Sequence, residues 1–397
     1  MSQPTAIAMP VKSKRLQSID LLRGTVMIIM ALDHVRDYFH ASAFLYDPTD
    51  LTRTDVPLFF TRWITHFCAP IFTFLAGASA FLNGTKKTKN ELSVFLLTRG
   101  LWLVIAEILI VTLGWTFNPE YPVLILQVIW ALGVSMIVLA GMIYLPLTAI
   151  LVIGLALIGA HNLMDAPPGD HPVSFLMAAI HEQHIIPTKP VIMMGYPVTP
   201  WIGIMMVGYA FGQLYLPTFD AGKRRKLLIG LGLSAIALFI IIRFINMYGD
   251  PHPWSVQKDP VFTVLSFLNT TKYPPSLLYI LMTLGPALLF LAFAEKPLNK
   301  LSEKVVVFGR VPMFYYLLHI YLIHILAVIA AAISGFKWSD MVLTGWVSMN
   351  SQLKGFGYSL AFVYILWILI IVGVYPLCKR YDAYKQANRT KWWLSYI

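Results

Sequence analysis

Ionisable residues cluster at the end of the first long apolar segment of this 397-residue chain. Asp33, Arg36, Asp37 and His40 recur at helical spacing, and His34 directly follows Asp33. A carboxylate beside a histidine raises the basicity of the imidazole and orients its ring, as a general base requires. The segment therefore predicts a general base, His34 or His40, that is oriented by Asp33 or Asp37. Arg36 is predicted to line the cavity that contains this base. An ion-pair cluster that fixes the depth of the helix is the alternative.

The beginning of the same segment carries residues that suit an anion. Ser18 and Asp20 precede Arg23 and Gly24 in the first turns of the predicted helix. At a helix N-terminus, free backbone N–H groups and a guanidinium can point at one phosphate. These four residues are therefore predicted to bind a phosphorylated cosubstrate. Pairing of Arg23 with Asp20, three residues earlier, is the structural alternative.

Two further segments contribute polar residues that are predicted to line a cavity. His66 lies four residues before Pro70, and a proline in a helix disturbs the carbonyl group four residues earlier. In a later segment, Tyr315, Tyr316 and His319 form one polar stripe at helical spacing. Hydrogen bonding between helices would explain this stripe equally well.

The composition identifies the chain as an integral membrane protein. Hydrophobic residues make up 58% and charged residues 12% of the chain, whereas soluble domains have about 45–50% and about 25%. Apolar runs of roughly 20 residues recur without a long polar stretch between them, which excludes a single anchor on a soluble body. No segment alternates as a barrel strand does. We predict an all-α, polytopic membrane bundle with about ten transmembrane helices.

The predicted transmembrane domain covers residues 18–378, between an N-terminal arm at 1–17 and a basic, aromatic tail at 379–397. The boundaries of the spans are uncertain by a few residues. The segments 122–144 and 145–160 are predicted as two spans, and a single bent unit is the alternative. The predicted spans are 18–40, 58–82, 93–115, 122–144, 145–160, 197–217, 227–247, 273–294, 305–333 and 359–378.

The net charge of +11 arises from short basic runs between apolar segments rather than from one patch. This distribution follows the positive-inside rule, predicts that both termini are cytoplasmic, and gives no support for a nucleic-acid partner. All 10 histidines fall in the outer halves of the predicted spans or in the loops predicted on the outer side of the membrane. Any chemistry is therefore predicted to face outward. The loop histidines, His171 among them, match no tight ligand pattern, and we predict no metal site.

Three motifs can be compared with a known family. They are RLQSIDLLRG at 15–24, continued by YFHAS at 38–42; THFCAPIFTFLAG at 65–77; and FGRVPMFYYLLH at 308–319. Together they resemble the heparan-α-glucosaminide N-acetyltransferase catalytic-domain family over the whole membrane domain. The spacing of Arg23 and His34 also resembles bacterial O-acyltransferases of the broader transmembrane acyltransferase group. The chain lacks a large lumenal domain and has His66 where that family tends to have Asp.

The resemblance implies a bacterial enzyme that transfers an acyl group across the inner (plasma) membrane. Its donor would be cytosolic acetyl-CoA or another acyl-CoA, and its acceptor an extracytoplasmic glycan or another hydroxyl or amine compound. The lipid bilayer surrounds it, and a homodimer is one option for its oligomeric state. His40 matches the family's His-Ala-Ser motif and His34 the O-acyltransferase spacing, so both remain candidates. A transporter or flippase for a small anion or glycolipid is the alternative, because buried Asp, His and Arg also form proton relays.

Overall fold

The computed structural model describes residues 14–165, 172–388 and 390–396. Most of the predicted arm at 1–17, and His171, lie outside these residues. Within them the chain is mostly helical, with 71% of its residues in helices and only three short strands. The predicted helical class is confirmed, with a small sheet in addition.

The helices and strands of the described residues have the following bounds. A π-helical turn, Glu107–Val111, joins the fourth and fifth helices. The strands are β1 Val123–Leu126, β2 His184–Ile186 and β3 Val191–Met194; β3 lies in the middle, parallel to β1 and antiparallel to β2. The helices are α1 Lys14–Phe39, α2 Val56–Thr65, α3 Cys68–Gly84, α4 Lys89–Ala106, α5 Thr112–Thr116, α6 Val128–Met142, α7 Leu147–Ala160, α8 Phe175–Ile180, α9 Thr199–Phe211, α10 Ala221–Ile245, α11 Pro260–Leu268, α12 Leu277–Phe293, α13 Lys300–Arg310, α14 Pro312–Ile333 and α15 Leu360–Ala387.

Six helical segments among the described residues are long and apolar enough to cross a membrane. The predicted count of about ten spans is not confirmed. The first helix has 26 residues but carries acidic and basic side chains at both ends, and α9 has only 13 residues. Helices α6 and α12 are apolar but shorter. The six segments are Val56–Gly84, Lys89–Thr116, Leu147–Met164, Ala221–Ile245, Pro312–Ile333 and Leu360–Ala387.

The predicted span at 122–144 is wrong in its first residues, which form β1 instead of helix. The segment Val-Leu-Ile-Leu is rich in residues that favour strands, and it pairs with β3. The helix begins only at Val128. Residues 143–146 then separate α6 from α7, so the two spans predicted on either side of Pro146 are two separate helices.

The predicted span at 305–333 is also corrected, because it consists of parts of two helices. Helix α13 ends at Arg310, and α14 begins at Pro312. Proline lacks the N–H that would continue the first helix but suits the first turn of the second. In contrast, no break occurs near residue 378: α15 continues to Ala387, so the predicted start of the tail falls inside a helix.

Helix α1 crosses α13 at two glycines. A Cβ atom on Gly24 would lie 2.1 Å from the Val305 carbonyl oxygen, and one on Gly309 would lie 2.0 Å from the Asp20 carbonyl oxygen. Neither position can therefore hold a side chain unless the backbones separate. Small residues at such crossings allow helices in membranes to approach closely. This close crossing holds α1 in place. Helix α1 in turn carries predicted site residues near both of its ends.

Candidate active site

The second half of α1 lines a cavity of about 800 Å³, which we call the histidine cavity. Asp33, Arg36 and Asp37, whose spacing predicted a common helical face, all line it, and so does His34. Other elements complete its wall with polar and aromatic side chains. These include Arg62, Thr65, Cys68, Phe72, Trp115, Gln127, Val128, His184, Tyr196, Lys272, Tyr273, Tyr316 and Trp346.

His40 lies apart from this group, because α1 ends at Phe39. Its backbone pairs with that of Tyr358, and its Nδ1 lies 2.6 Å from the Ser42 hydroxyl. Burial lowers the pKa of His40, and the charge of Arg36 lowers it further. His40 is not among the residues that line the histidine cavity. Of the two candidate bases, the structure therefore brings only His34 to the cavity.

The ring of His34 is held by His319 of α14. Their Nδ1 and Nε2 atoms are 2.8 Å apart, and the two rings are parallel within 6°. The other nitrogen of His319, Nδ1, lies 2.7 Å from the carbonyl oxygen of Tyr315. A carbonyl can only accept, so in the neutral pair Nδ1 of His319 carries a proton and its Nε2 accepts.

This arrangement determines the tautomer of His34. Because Nε2 of His319 accepts, Nδ1 of His34 donates, and Nε2 of His34 keeps its lone pair. Trp115 packs edge-on against the His34 ring, with centroids 4.9 Å apart. Tyr315 is fully buried and stacks on His319 with centroids 4.6 Å apart. The site thus contains an oriented imidazole with one free acceptor nitrogen.

The carboxylates predicted to orient the histidine bind arginines instead. Asp33 forms ion pairs with Arg36, at 2.9 Å, and with Arg62 of α2. Asp37 also binds Arg36. Among the described residues, the only hydrogen-bonding partner of His34 is His319. The carboxylate cluster therefore positions cations around the cavity, whereas a second histidine orients the candidate base.

The other predicted cavity residues are divided between the wall and the layer behind it. Tyr316 lines the histidine cavity, but His66 and Tyr315 do not. His66 lies between α2 and α3, and its carbonyl oxygen accepts a hydrogen bond of 2.6 Å from the Tyr279 hydroxyl. This bond satisfies the carbonyl that Pro70 was expected to disturb. Its neighbours Thr65 and Cys68 reach the cavity.

A second cavity, of about 820 Å³, adjoins the first half of α1. We call it the basic cavity, because its charged lining residues among those described are all cationic. Aromatic residues Phe95, Trp392 and Tyr396 also line it, so the C-terminal segment forms part of its wall. The cations are Arg23, Lys87, Arg99, Arg310, Lys385 and Lys391.

Only Arg23 of the four residues predicted to bind phosphate lines the basic cavity. The helix already begins at Lys14, so Ser18 to Gly24 lie inside it and offer no free N-terminal N–H groups. Ser18 is buried, Gly24 packs on Val305, and Asp20 pairs with Arg23 at 3.1 Å. The prediction of a site at a helix N-terminus is therefore wrong, and Arg23 instead lines a cavity together with other cationic side chains.

The two cavities share part of their walls, and we call the shared residues the neck. Each of its residues lines both cavities, so a single layer of side chains lies between one cavity and the other. Tyr316 of the neck also packs edge-on against His34, with ring centroids 6.2 Å apart. The neck residues are Met30, Phe72, Val128 and Tyr316.

More than half of the chain matches a known family. Residues 15–244 match the family model described as heparan-alpha-glucosaminide N-acetyltransferase, catalytic. The chain belongs to this family. No curated protein matches the chain. The predicted resemblance is thereby confirmed.

Membership in the heparan-alpha-glucosaminide N-acetyltransferase catalytic family indicates a transferase, and the apolar helices indicate that it is a membrane protein. The matched residues include Arg23, His34 and Arg62. His319 and Lys272 lie beyond them. Sequence reasoning did not single out Arg62, although a lone arginine within an apolar span is a signal for a cavity. Lys272 gave no such signal, because it lies in a loop.

Proposed function

We propose that this family member transfers an acetyl group from cytosolic acetyl-CoA, or another acyl-CoA, to an acceptor on the opposite side of the membrane. The observation that carries the proposal is that one layer of side chains, the neck, lies between a cavity lined by cations and a cavity lined by an oriented histidine. The acceptor is a hydroxyl or amine compound such as an extracytoplasmic glycan. The basic cavity faces the cytoplasm of a bacterial inner membrane, together with both termini.

The basic cavity suits the nucleotide end of the donor. Cations that line a low-dielectric cleft attract the phosphates and form charge-assisted hydrogen bonds with them. Trp392 and Tyr396 offer flat faces on which an adenine can stack. The distance from Arg23 to His34 is about 16 Å along an ideal helix, which an extended pantetheine arm can span. The thioester then passes the neck and reaches the histidine cavity.

His34 performs the proton transfers in this proposal. Its Nε2 accepts the proton of the acceptor while the acceptor oxygen or nitrogen attacks the thioester carbonyl. The C–S bond then breaks, and the thiolate of CoA receives the proton from His34. Throughout, Nδ1 of His34 keeps donating to His319, so the positive charge formed on the imidazole is stabilised without any movement of the ring.

Gln127 is placed to stabilise the negative charge on the thioester oxygen. It directly precedes α6, lines the histidine cavity beside the neck residue Val128, and is only 8% exposed. Its amide nitrogen has no hydrogen-bond partner among the described residues. A buried amide donor without a partner suits a developing oxyanion.

The proposal is tested with membrane vesicles of both orientations and acetyl-CoA labelled on its acetyl group. Inside-out vesicles, which expose the cytoplasmic side, are expected to consume the thioester and to label a compound in their lumen. Right-side-out vesicles are expected to be inactive, because acetyl-CoA does not cross the membrane. Vesicles from a deletion strain control for other enzymes. Dissipation of a solute gradient without loss of thioester would support a transporter and contradict the enzyme.

Arg23→Ala is expected to weaken acetyl-CoA binding about 10- to 100-fold, because a phosphate loses a charge-assisted partner worth about 1.5–3 kcal/mol. Lys86→Ala is the matched control, because Lys86 is exposed and does not line the basic cavity. The measurement is thermal stabilisation of the purified protein by CoA.

Arg23 also donates to the Gly309 carbonyl at 3.1 Å and to the Ser79 hydroxyl at 2.8 Å. Its replacement therefore lowers the melting temperature without ligand as well, and the shift on adding CoA must be measured from each variant's own baseline. An undiminished CoA shift in Arg23→Ala would assign Arg23 to helix packing alone.

A further inference from the structure

The wall of the histidine cavity includes a lysine, Lys272. The side chain of Lys272 is only 9% exposed and lines the cavity wall. Its ammonium lies 4.0 Å from Asp33 Oδ2 and 5.2 Å from the centre of the Tyr273 ring. Among the described residues it makes no hydrogen bond. A buried ammonium is strongly unfavourable unless its N–H groups find acceptors.

Asp33 does not supply those acceptors, because its nearest oxygen lies 4.0 Å from the Lys272 ammonium, beyond hydrogen-bond distance. Arg36 pairs with one carboxylate oxygen and Arg62 with the other, which is also the oxygen nearest to Lys272. The remaining acidic residues of the cavity wall are engaged elsewhere. Asp37 binds Arg36, and Asp47 accepts from the Thr49 amide and hydroxyl. Of the cations in the cavity wall, Lys272 is thus the one that lacks a hydrogen-bonding acceptor among the described residues, whereas Arg36 and Arg62 donate to carboxylates.

The loop around Lys272 is held firmly by a second set of polar contacts. The carboxylate of Asp250 accepts from the Thr271 amide at 2.8 Å and from the Ser276 hydroxyl at 2.6 Å, on either side of Lys272. Arg243, which is 1% exposed, donates to the carbonyl oxygens of Ser266, Phe267, Asn269 and His252. Such a network holds the backbone of the loop in one conformation. Lys272 is thus placed in the cavity by the fold.

We propose that Lys272 binds an anionic group of the acceptor and thereby holds the acceptor's hydroxyl or amine beside His34. This inference rests on the proposed function and specifies its substrate as a compound with a carboxylate, a phosphate or a sulfate. The anion gives the ammonium the acceptors that the protein does not provide. Because the lysine side chain is only 9% exposed, the interaction is stronger than on a surface. Neutral acceptors of the same size leave Lys272 unpaired and bind more weakly.

The test measures sugar binding to the purified full-length protein by calorimetry, without acetyl-CoA. The probes are glucose, glucose 6-phosphate and glucuronate, which share a ring and differ in charge. We expect at least one anionic sugar to bind about tenfold or more tightly than glucose, as charge-assisted hydrogen bonds predict. Preference for the phosphate or for the carboxylate identifies the source of the anion.

Variants at Lys272 connect this preference to the lysine. Lys272→Met is expected to abolish the difference between charged and neutral sugars, and Lys272→Arg to retain most of it. Lys354→Met is the matched control, because Lys354 is exposed and does not line the cavity. Lys272→Gln provides a second neutral variant if the methionine variant does not fold.

Equal affinity of the wild type for all three sugars, or binding of none, would overturn the proposal. An anion preference that survives in both neutral variants would overturn it as well, because another residue would then hold the anion. The outcome is independent of the transferase assay. Anion binding through Lys272 in a protein that leaves acetyl-CoA intact would support this subsite and contradict the proposed function, and the reverse result would do the opposite.

Discussion

His34→Ala is expected to lower acetyl transfer about 10²- to 10⁴-fold, while acetyl-CoA still binds to the basic cavity. The variant removes the nitrogen of the His34–His319 pair that the hydrogen-bond pattern leaves free to accept a proton. The measurement is the rate of acetyl-CoA consumption in vesicles, combined with thermal stabilisation by CoA. His40→Ala is the matched control and is expected to retain nearly all activity, since His40 does not line the cavity.

His319 provides the test of how His34 is oriented. His319→Leu removes the acceptor for Nδ1 of His34 and is expected to reduce the rate less than His34→Ala does. His319→Gln keeps an acceptor oxygen near the same place and is expected to recover part of the loss. If His40→Ala abolishes transfer and His34→Ala does not, the base is His40, and the tautomer argument does not describe catalysis.

Gly309→Ala is expected to destabilise the protein far more than a methyl group added at an unobstructed helix position. The new Cβ would lie 2.0 Å from the Asp20 carbonyl oxygen, so two helix backbones must separate. Overpacking of a core usually costs about 1–3 kcal/mol, and a backbone clash lies at or above the top of that range. The measurement is the thermal unfolding temperature of the purified protein, together with its monodisperse yield.

Gly230→Ala and Gly141→Ala are the matched controls. Both glycines lie inside helices and have nothing within 4 Å of an added Cβ. Alanine at such positions is favoured over glycine by about 0.5–1 kcal/mol, so a small gain in stability is expected. A Gly309→Ala protein that unfolds at the temperature of these controls would show that the crossing of α1 and α13 tolerates a wider separation.

The sequence was sufficient to predict elements whose signal lies within one segment. Apolar runs predicted the helices, and the spacing of Asp33, Arg36 and Asp37 predicted their common face because a helix repeats locally. The pairing of His34 with His319 joins residues 285 positions apart. The two residues could be noted separately, but no local pattern shows that they meet.

Other features depended on how the chain packs. Gly24 lies next to Arg23, and this adjacency suggested a phosphate site, whereas its role follows from the approach of α13. The position of Lys272 follows from the loop that Asp250 and Arg243 hold, and this loop has no periodic pattern from which the position could be predicted. The break at Pro312 could have been predicted from proline chemistry alone. Because the residues on both sides of Pro312 are mostly apolar, the hydropathy pattern did not show the boundary between α13 and α14.

The neck also bears on the leakage of ions through the protein. In the proposed arrangement, two water-accessible cavities open toward opposite faces of an energised membrane and are separated by the layer of Met30, Phe72, Val128 and Tyr316. An apolar constriction of this kind stays dry and resists the passage of ions. The same side chains that admit a slender acyl arm therefore preserve the proton gradient whenever the arm is absent. Enlarging the neck would allow ions to leak across the membrane. Insulation against ions and access for the acyl donor therefore place opposite demands on the same residues.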